Sequence, residues 1–362
     1  MIIFPIFIFV FFTSLMNEGQ PIEMPVGVVD MDNTATTRAL TRKLDAFQTT
    51  EITAHYANIN EARRAIQKNE IYAFIYFPEH TTDDLISGNR PKMSFYYSDV
   101  CITGGSLLFR DLKTICSLGS AAVGSAKLSA LGKTGEEVKT FLQPINIQLH
   151  PIGNPEINYN VYLSNSLAPA CFFLLVFLIT AYSIGTELKF GRSKEWLAMA
   201  GNNIFVAITG KLLPQFLIFL SVVYGYMFYI YYVLDFPHPG GVGVILILGL
   251  LSVLACQGFG MFIFGIMPSL RMSMSLCSLW ASVSFSVMGA TFPVSSMDPE
   301  LSAIAQLFPM RHYFMIYQTC LFSGFPLTDV WPNVAALIIF ASLPLLVIYR
   351  IKNAMLTYVY IP

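Results

Sequence analysis

Charge is scarce in this sequence. Only 12% of its 362 residues are Asp, Glu, Lys or Arg, whereas soluble domains carry about 25%. Hydrophobic residues make up 55% of the chain, and the mean hydropathy is +0.59. The composition excludes an ordinary soluble globular protein and predicts an integral membrane protein.

Arrangements of residues that carry chemistry are also missing. The five histidines are scattered without metal-ligand spacing, and the sequence shows no Ser/His/Asp arrangement or paired carboxylates. Gly132-Lys133-Thr134 resembles the end of a phosphate-binding P-loop, but Lys127 stands where that motif requires a glycine. We interpret this segment as a helix break with a solvated lysine. The sequence therefore predicts no catalytic, metal or cofactor site in this chain.

The charges that are present concentrate in one region. Residues 17–160 hold thirteen of the 21 basic and sixteen of the 22 acidic residues. Short β-like runs alternate there with helical ones, which predicts an α/β domain with a largely parallel sheet. We predict strands at Val26–Asp30, Glu51–Tyr56, Ile71–Phe77, Met93–Tyr97 and Ile145–His150, and helices from Asn33 or Thr34 to Phe47, at Asn60–Asn69 and over 105–142, the last broken near Gly132 and Gly135.

Membrane-length apolar runs occupy the rest of the chain. They lie at 1–16, 164–185, 212–234, 242–267, 272–294 and 333–349. The predicted fold class is a polytopic α-helical membrane protein with six transmembrane helices and an extracytoplasmic α/β domain inserted between helices 1 and 2. The predicted domains are residues 1–16, 17–160 and 161–362.

The first run is short and has no basic flank before Met1. A secretory signal needs a positive leading region and a small-x-small cleavage site, and both are missing here. We therefore favour a transmembrane helix whose cytosolic lead-in is absent because the start is mis-assigned.

Basic residues outside 17–160 indicate the orientation. Arg311 alone falls on one side of the predicted spans, and seven others fall on the opposite side. Because cytoplasmic loops carry an excess of Lys and Arg, both termini are predicted to be cytosolic and residues 17–160 external. The seven are Lys189, Arg192, Lys194, Lys211, Arg271, Arg350 and Lys352.

Two cysteines fall in the predicted external domain. A disulfide between Cys101 and Cys116 is permitted in that compartment. It requires their Cα atoms to lie within about 7 Å, which spacing alone does not establish. The other four cysteines are predicted to be small packing residues in or near the spans.

A charged segment, Glu187–Trp196, separates the second and third spans. Five charged residues keep it out of lipid, Phe190 is an apolar anchor, and Gly191 permits a turn. Two interpretations stay open at this point. The segment is either an ordinary cytosolic loop with an interfacial tryptophan or a handle for a cytosolic partner.

The stretch 295–332 is the second unusual segment. Leu301–Phe322 is apolar enough to enter the bilayer, but Pro309 interrupts it and Arg311 and His312 lie near its middle. A full span with a central charge is costly. We therefore predict a re-entrant or surface-lying helical pair.

Few polar residues lie inside the spans. Gln257 in the fourth span is the clearest, and the fifth span is rich in Ser, Met and Phe, including Ser284 and Met288. These residues either line a pathway or join helices by hydrogen bonds and close packing. Carboxylates are missing at mid-span, which argues against ion pumping.

Several motifs carry a family resemblance. Pro25–Thr34 (PVGVVDMDNT), Glu187–Trp196 followed by Gly210–Pro214, and the region from Phe292-Pro293 to Trp331-Pro332 occur in a specific order and spacing. In these features the whole chain resembles type-2 ATP-binding cassette (ABC) export permeases. Members usually begin with a cytosolic amphipathic helix, which does not precede Met1 here, so we expect an incomplete N-terminus.

The resemblance implies a half-transporter. A second permease subunit and separate cytosolic ATPase subunits, which bind ATP and Mg²⁺, would complete it, with an envelope adaptor as an optional periplasmic partner. This chain would bind no cofactor or nucleic acid and would not itself be an enzyme, because its cytosolic parts lack a complete Walker A motif. It would export a lipophilic or envelope-related substrate across the bacterial inner membrane.

The resemblance also implies residue roles. Residues 186–211 would form the cytosolic coupling loop, and the segment 295–332 would form an external gate. The coupling residues are Glu187, Lys189, Phe190, Gly191, Arg192, Glu195 and Trp196; the candidate pathway residues are Gln257, Ser284 and Met288; the gate residues are Pro293, Pro309, Arg311 and His312.

Two other function classes fit parts of the sequence. A membrane-anchored receptor or scaffold could use the external domain to bind a ligand or envelope partner, but the tail after Tyr349 is too short for a cytosolic signalling domain. A lipid-modifying membrane enzyme would need acid/base or metal chemistry, which the sequence does not show.

Overall fold

The chain divides into two compact units in the computed structural model. One unit, here the helical unit, comprises Met1–Gly19 and Pro151–Pro362, and the other, the sheet unit, comprises Gln20–His150. The structure describes residues 1–87, 89, 91–98, 100, 102–143, 154 and 158–358. The predicted strand at 145–150 falls outside these residues, and so does Cys101, one of the two cysteines of the disulfide that the compartment permits.

The sheet unit contains a four-stranded sheet with the order β2-β1-β3-β4. Its central strand β1 runs parallel to β2 and β3, and β4 is antiparallel to β3. This confirms four predicted strands and the largely parallel sheet. The strands are β1 (Met24–Asp30), β2 (Thr50–His55), β3 (Ala73–Phe77) and β4 (Ser94–Tyr97).

Helices connect the strands, and polar caps fix where they begin. The Thr34 and Asn58 side chains accept backbone hydrogen bonds at the starts of the first two helices. Gly132, with φ of 79°, separates the last two, and Thr134 caps the second of them, so the predicted helix break is confirmed. The helices are α2 (Ala35–Asp45), α3 (Ile59–Gln67), α4 (Thr81–Ser87), α5 (Ile102–Ala130) and α6 (Gly135–Leu142).

The carboxyl end of β1 is tied to α4 by a carboxylate. Asp32 accepts hydrogen bonds from the Thr34 hydroxyl at 2.9 Å, the Thr82 hydroxyl at 2.6 Å and the Thr82 N–H at 3.2 Å. Burial raises the pKa of Asp32, but the hydrogen bonds from Thr82 and Thr34 outweigh it and leave that pKa below its ordinary value. The ionised carboxylate therefore stabilises this edge of the sheet unit.

Asp32→Asn should lower stability near neutral pH and lose its effect in acid. Because the folded-state pKa is depressed, the contribution of Asp32 is fully present above the ordinary value of 3.8 and is lost as pH falls through the folded value. The measurement is the thermal midpoint of wild type and variant in detergent at about pH 6 and about pH 3. Glu79→Gln, at an exposed position, is the control. If the difference in thermal midpoint between Asp32→Asn and wild type is as large at the lower pH as at the higher one, the account is contradicted.

The helical unit contains ten α-helices within the described residues. Two of them continue as π-helical turns, at Tyr229–Val233 and Tyr317–Phe322. The α-helices are α1 (Ile3–Leu15), α7 (Tyr159–Lys189), α8 (Ser193–Met199), α9 (Ile204–Phe228), α10 (Gly241–Ile266), α11 (Leu270–Val287), α12 (Pro299–Ala305), α13 (Pro309–Ile316), α14 (Trp331–Ser342) and α15 (Pro344–Thr357).

Helices lie at all six predicted span positions. Four segments of the described chain are long and apolar enough to cross a membrane: Tyr159–Lys189, Ile204–Val233, Gly241–Ile266 and Leu327–Thr357. The first predicted span is the 13-residue α1, about 20 Å long. The fifth, α11, ends at Val287 rather than near 294, because Gly289 adopts φ of 102°. The count of six spans stays a prediction.

Glycines let α10 pack closely at the centre of the helical unit. A Cβ built on Gly258 would lie 2.4 Å from the Phe340 carbonyl oxygen of α14. A Cβ on Gly260 would lie 3.0 Å from the Phe177 carbonyl oxygen of α7. Small residues of this kind allow membrane helices to approach backbone to backbone.

Gly258→Ala should destabilise the helical unit by about 1–3 kcal/mol, because the added methyl meets backbone rather than a movable side chain. Gly243→Ala in the same helix is the matched control, since a Cβ there meets nothing within 4 Å. The control should be neutral or stabilising by about 0.5–1 kcal/mol. Thermal unfolding in detergent distinguishes the two; equal midpoints would contradict the packing argument.

Candidate functional site

A tight turn joins α7 to α8. Gly191 has φ of 68°, and the N–H of Arg192 donates to the Glu187 carbonyl at 2.9 Å. The N–H of Gly191 donates to the Leu188 carbonyl at 3.2 Å. These two bonds form a Schellman motif, which ends α7 in a defined geometry. The turn that the sequence predicted at Gly191 is confirmed.

A second turn of the same type ends α8. Gly201 has φ of 64°, and the N–H of Asn202 donates to the Leu197 carbonyl at 2.8 Å. The N–H of Gly201 donates to the Ala198 carbonyl at 3.0 Å, and the Asn203 side chain caps α9. The predicted loop 186–211 is therefore mostly helical, because paired glycine turns let three helices follow one another almost without a break.

One face of α8 packs into the helical unit. Trp196 and Leu197 are buried in a core cluster with Ile208 of α9 and Ile351 of α15. The Ser193 hydroxyl donates to the Met355 carbonyl of α15 at 2.7 Å. The spacing i, i+3, i+4 of the buried residues is that of an amphipathic helix, which explains how seven residues form a stable element.

A charged cluster contacts the buried side of α8. The Lys211 ammonium of α9 donates to the Glu187 carboxylate of α7. Both side chains are about four-fifths buried, being 19% and 20% exposed. The ammonium also lies 5.3 Å from the centre of the Trp196 ring, a distance at which a cation and an aromatic face attract.

The surface of the α7–α8 turn that faces away from this charged cluster is exposed. Phe190 is 61% exposed, and its ring lies 5.7 Å from the Lys189 ammonium and 5.9 Å from the Arg192 guanidinium. Met199, at the end of α8, is 82% exposed. We call this surface the turn face; its residues are Lys189, Phe190, Gly191, Arg192, Lys194, Glu195 and Met199.

The three candidate pathway residues are buried within the chain and make different contacts. Gln257 donates to the Leu212 carbonyl of α9 at 3.4 Å. The Ser284 hydroxyl is buried and has no hydrogen-bond partner among the described residues, and Met288 is fully buried. The contact of Gln257 is the kind that joins two membrane helices; a pathway role for these residues stays a prediction.

The segment 295–332 contains the predicted helical pair, α12 and α13. Arg311 donates to the Met288 carbonyl at 3.0 Å, at the end of α11. His312 is buried, its Nε2 donates to the Gln306 carbonyl at 2.9 Å, and its Nδ1 lies 2.9 Å from the Asn333 Oδ1 of α14. The segment is thereby tied to two helices. Pro293 and Pro309 each lie at a helix start, the former before a 3-10 turn and the latter as the first residue of α13.

A buried polar cluster ties α1, α7 and α9 together. The Asn160 amide donates to the Thr13 carbonyl at 3.1 Å, and the Tyr231 hydroxyl donates to the Asn165 Oδ1 at 2.8 Å. These hydrogen bonds, one to a backbone carbonyl and one between side chains, satisfy buried polar groups where water is scarce. Asn160 and Asn165, in the first turns of α7, therefore join helices.

A family model described as ABC-2 family transporter protein matches residues 1–350. The chain belongs to the ABC-2 family of transporter proteins. It is thus the permease component of an ABC transporter and a multi-pass membrane protein, and membership of this family implies an ABC ATPase subunit as its partner. No curated protein sequence matches the chain.

Sequence reasoning missed Lys211 of the permease as a functional residue. It used Lys211 to infer orientation and as part of the motif Gly210–Pro214, but it did not pair Lys211 with Glu187, because a partner 24 positions away is not visible in local spacing. The one available signal was a cation inside an otherwise apolar helix, α9.

Arg311→Leu should loosen the end of α11 in the permease. A hydrogen bond to a charged group contributes about 1.5–3 kcal/mol, so amide exchange around Met288 should accelerate by about tenfold or more. Exposed Arg271→Leu, at the start of the same helix, is the matched control and should leave these amides unchanged. Hydrogen-exchange mass spectrometry in detergent measures both; equal protection in Arg311→Leu and wild type refutes the capping role.

Proposed function

We propose that this permease is an export subunit whose turn face receives the ATPase subunit on the cytosolic side. The observation that carries the proposal is the two-sided construction of α8. One side of α8 is buried against α9 and α15, and the other side is exposed. The turn that precedes α8 adds an exposed aromatic ring, Phe190, between two cations. A short helix anchored in this way can transmit a push from a partner to the membrane helices behind it.

Charge supports the proposed side of the membrane. The turn face carries Lys189, Arg192 and Lys194 against one acid, Glu195. Positive loops favour the cytosol, where ATP is available. A groove on the ATPase that accepts Phe190 and is bordered by carboxylates would match this surface in both shape and charge.

In the proposed cycle, ATP binding moves the ATPase subunit, and the ATPase moves α8. Because α8 is packed on α7, α9 and α15, these helices shift together relative to a second permease subunit. Two such subunits, identical or different, would enclose the transport route in the bacterial inner membrane, with both termini of this chain cytosolic.

The proposed cargo is lipophilic or envelope-related. The sparse polarity of the spans suits an apolar substrate better than an ion, and Met and Ser residues of α11 tolerate irregular shapes. The α12–α13 pair would act as the external gate, with Pro293, Pro309, Arg311 and His312 fixing its position. An envelope adaptor could receive cargo at the external domain.

Phe190→Ala should reduce the amount of ATPase subunit that co-purifies with the tagged permease by about fivefold or more, because truncating an aromatic residue that anchors an interface removes about 1 kcal/mol or more. Phe325→Ala is the matched control, since Phe325 is similarly exposed (55%) and lies outside the turn face. The control should retain the ATPase. If the wild type folds but binds no ATPase, the proposed function fails.

A further inference from the structure

Lys211 occupies an unusual place for a cation. It lies about two turns into the apolar helix α9, with four-fifths of its side chain covered. Its ion pair with Glu187 is the single one that the described part of the helical unit contains; the other four ion pairs of the described chain belong to the sheet unit. A charged residue that is mostly buried in an apolar helix and has one specific partner indicates a functional role.

The geometry of the pair links three helices at one atom. The Lys211 ammonium bonds the carboxylate of Glu187 in the last turn of α7, and it lies over the Trp196 ring of α8. Because α8 is only seven residues long, a contact to its largest side chain constrains the whole helix. Lys211 therefore connects the end of α7, the middle of α8 and the body of α9.

A second contact holds the other side of α8. The Ser193 hydroxyl donates to the Met355 carbonyl, which belongs to α15. This neutral hydrogen bond is weaker than the charged contact, since hydrogen bonds to charged groups contribute roughly twice as much as neutral ones. The charged contact should therefore contribute more than the neutral one to making α8 move together with α7 and α9.

We infer that Lys211 is a positioning residue that couples α8 to α9: its ion pair with Glu187 and its contact with Trp196 make a displacement of the turn face move the third span. The inference rests on the proposed function, because it concerns how a displacement of the turn face by the ATPase subunit is transmitted to the membrane helices. It assigns Lys211 no contact with the ATPase subunit, since Lys211 lies behind α8 and not on the turn face.

The test separates binding of the ATPase from coupling to it. The permease is purified with its ATPase subunit as wild type, Lys211→Gln, Glu187→Gln/Lys211→Gln and the exchange Glu187→Lys/Lys211→Glu. Binding is the amount of ATPase that co-purifies. Coupling is the change in Trp196 emission when ATP is added. The other two tryptophans of this chain are replaced by Trp280→Phe and Trp331→Phe, and the tryptophans of the ATPase subunit are replaced by phenylalanine, so that Trp196 is the emitter.

Every folded variant should retain the ATPase, because the turn face is unchanged. In the double neutral variant, Glu187→Gln/Lys211→Gln, the ATP-dependent change in Trp196 emission should be smaller than in wild type by about fivefold or more, since directly paired residues are strongly coupled. The exchange variant should recover at least half of that change, because it restores the ion pair. Lys211→Gln alone should be less stable than the double neutral variant, since it leaves Glu187 buried without its partner.

Arg350→Gln is the charge-loss control, because Arg350 is exposed on α15 and should behave like wild type. If Lys211→Gln does not fold, the double neutral and exchange variants still decide the question. A full emission change in the double neutral variant overturns the inference, and so does a folded exchange variant that recovers nothing. Failure of the wild type to bind any ATPase is a different result, which overturns the proposed function instead.

Discussion

A charged side chain is costly in the hydrocarbon core of a bilayer, and this cost decides where charge is found in the helical unit. Apart from Lys211 in α9 and Arg350 and Lys352 in α15, the charged residues of the helical unit that the structure describes lie near helix ends or in connections. Five of them lie between Glu187 and Glu195, so the turn between α7 and α8 is strongly polar. The same cost explains why Lys211 and Glu187 are paired where they are partly buried.

The architecture of α8 follows from that constraint. Two glycine turns close the ends of α7 and α8, so that a short helix can lie across the ends of longer ones without loose loops. The apolar side of α8 then completes the core beneath it, and the polar side remains available to a partner. Rigidity and exposure, which a coupling element needs together, come from opposite faces of one helix.

Much of the fold could be predicted from residue patterns. The apolar run Val26–Asp30 predicted a buried strand, and the uncharged runs predicted the positions of the long helices. Turn positions at Gly191 and Gly132 were also visible, because glycine is the residue that adopts positive φ without strain. These features depend on residues close together in the chain.

Contacts between distant segments could not be predicted in this way. The hydrogen bond from Ser193 to Met355 spans 162 positions, and the one from Asn160 to Thr13 spans 147. Local periodicity holds no information about such partners. The sequence also did not predict that most of the loop 186–211 is helical. The amphipathic pattern of α8 is only seven residues long and contains charged residues, so it is too short to be recognised by periodicity.

The most direct measurement is photo-cross-linking from position 190 in the assembled transporter. Phe190 is replaced by the photoreactive residue p-benzoylphenylalanine, and the complex is irradiated in lipid nanodiscs with and without ATP. The account predicts a cross-link to the ATPase subunit whose yield changes when ATP is added. Adducts with lipid alone, in a preparation that contains the ATPase, would contradict it.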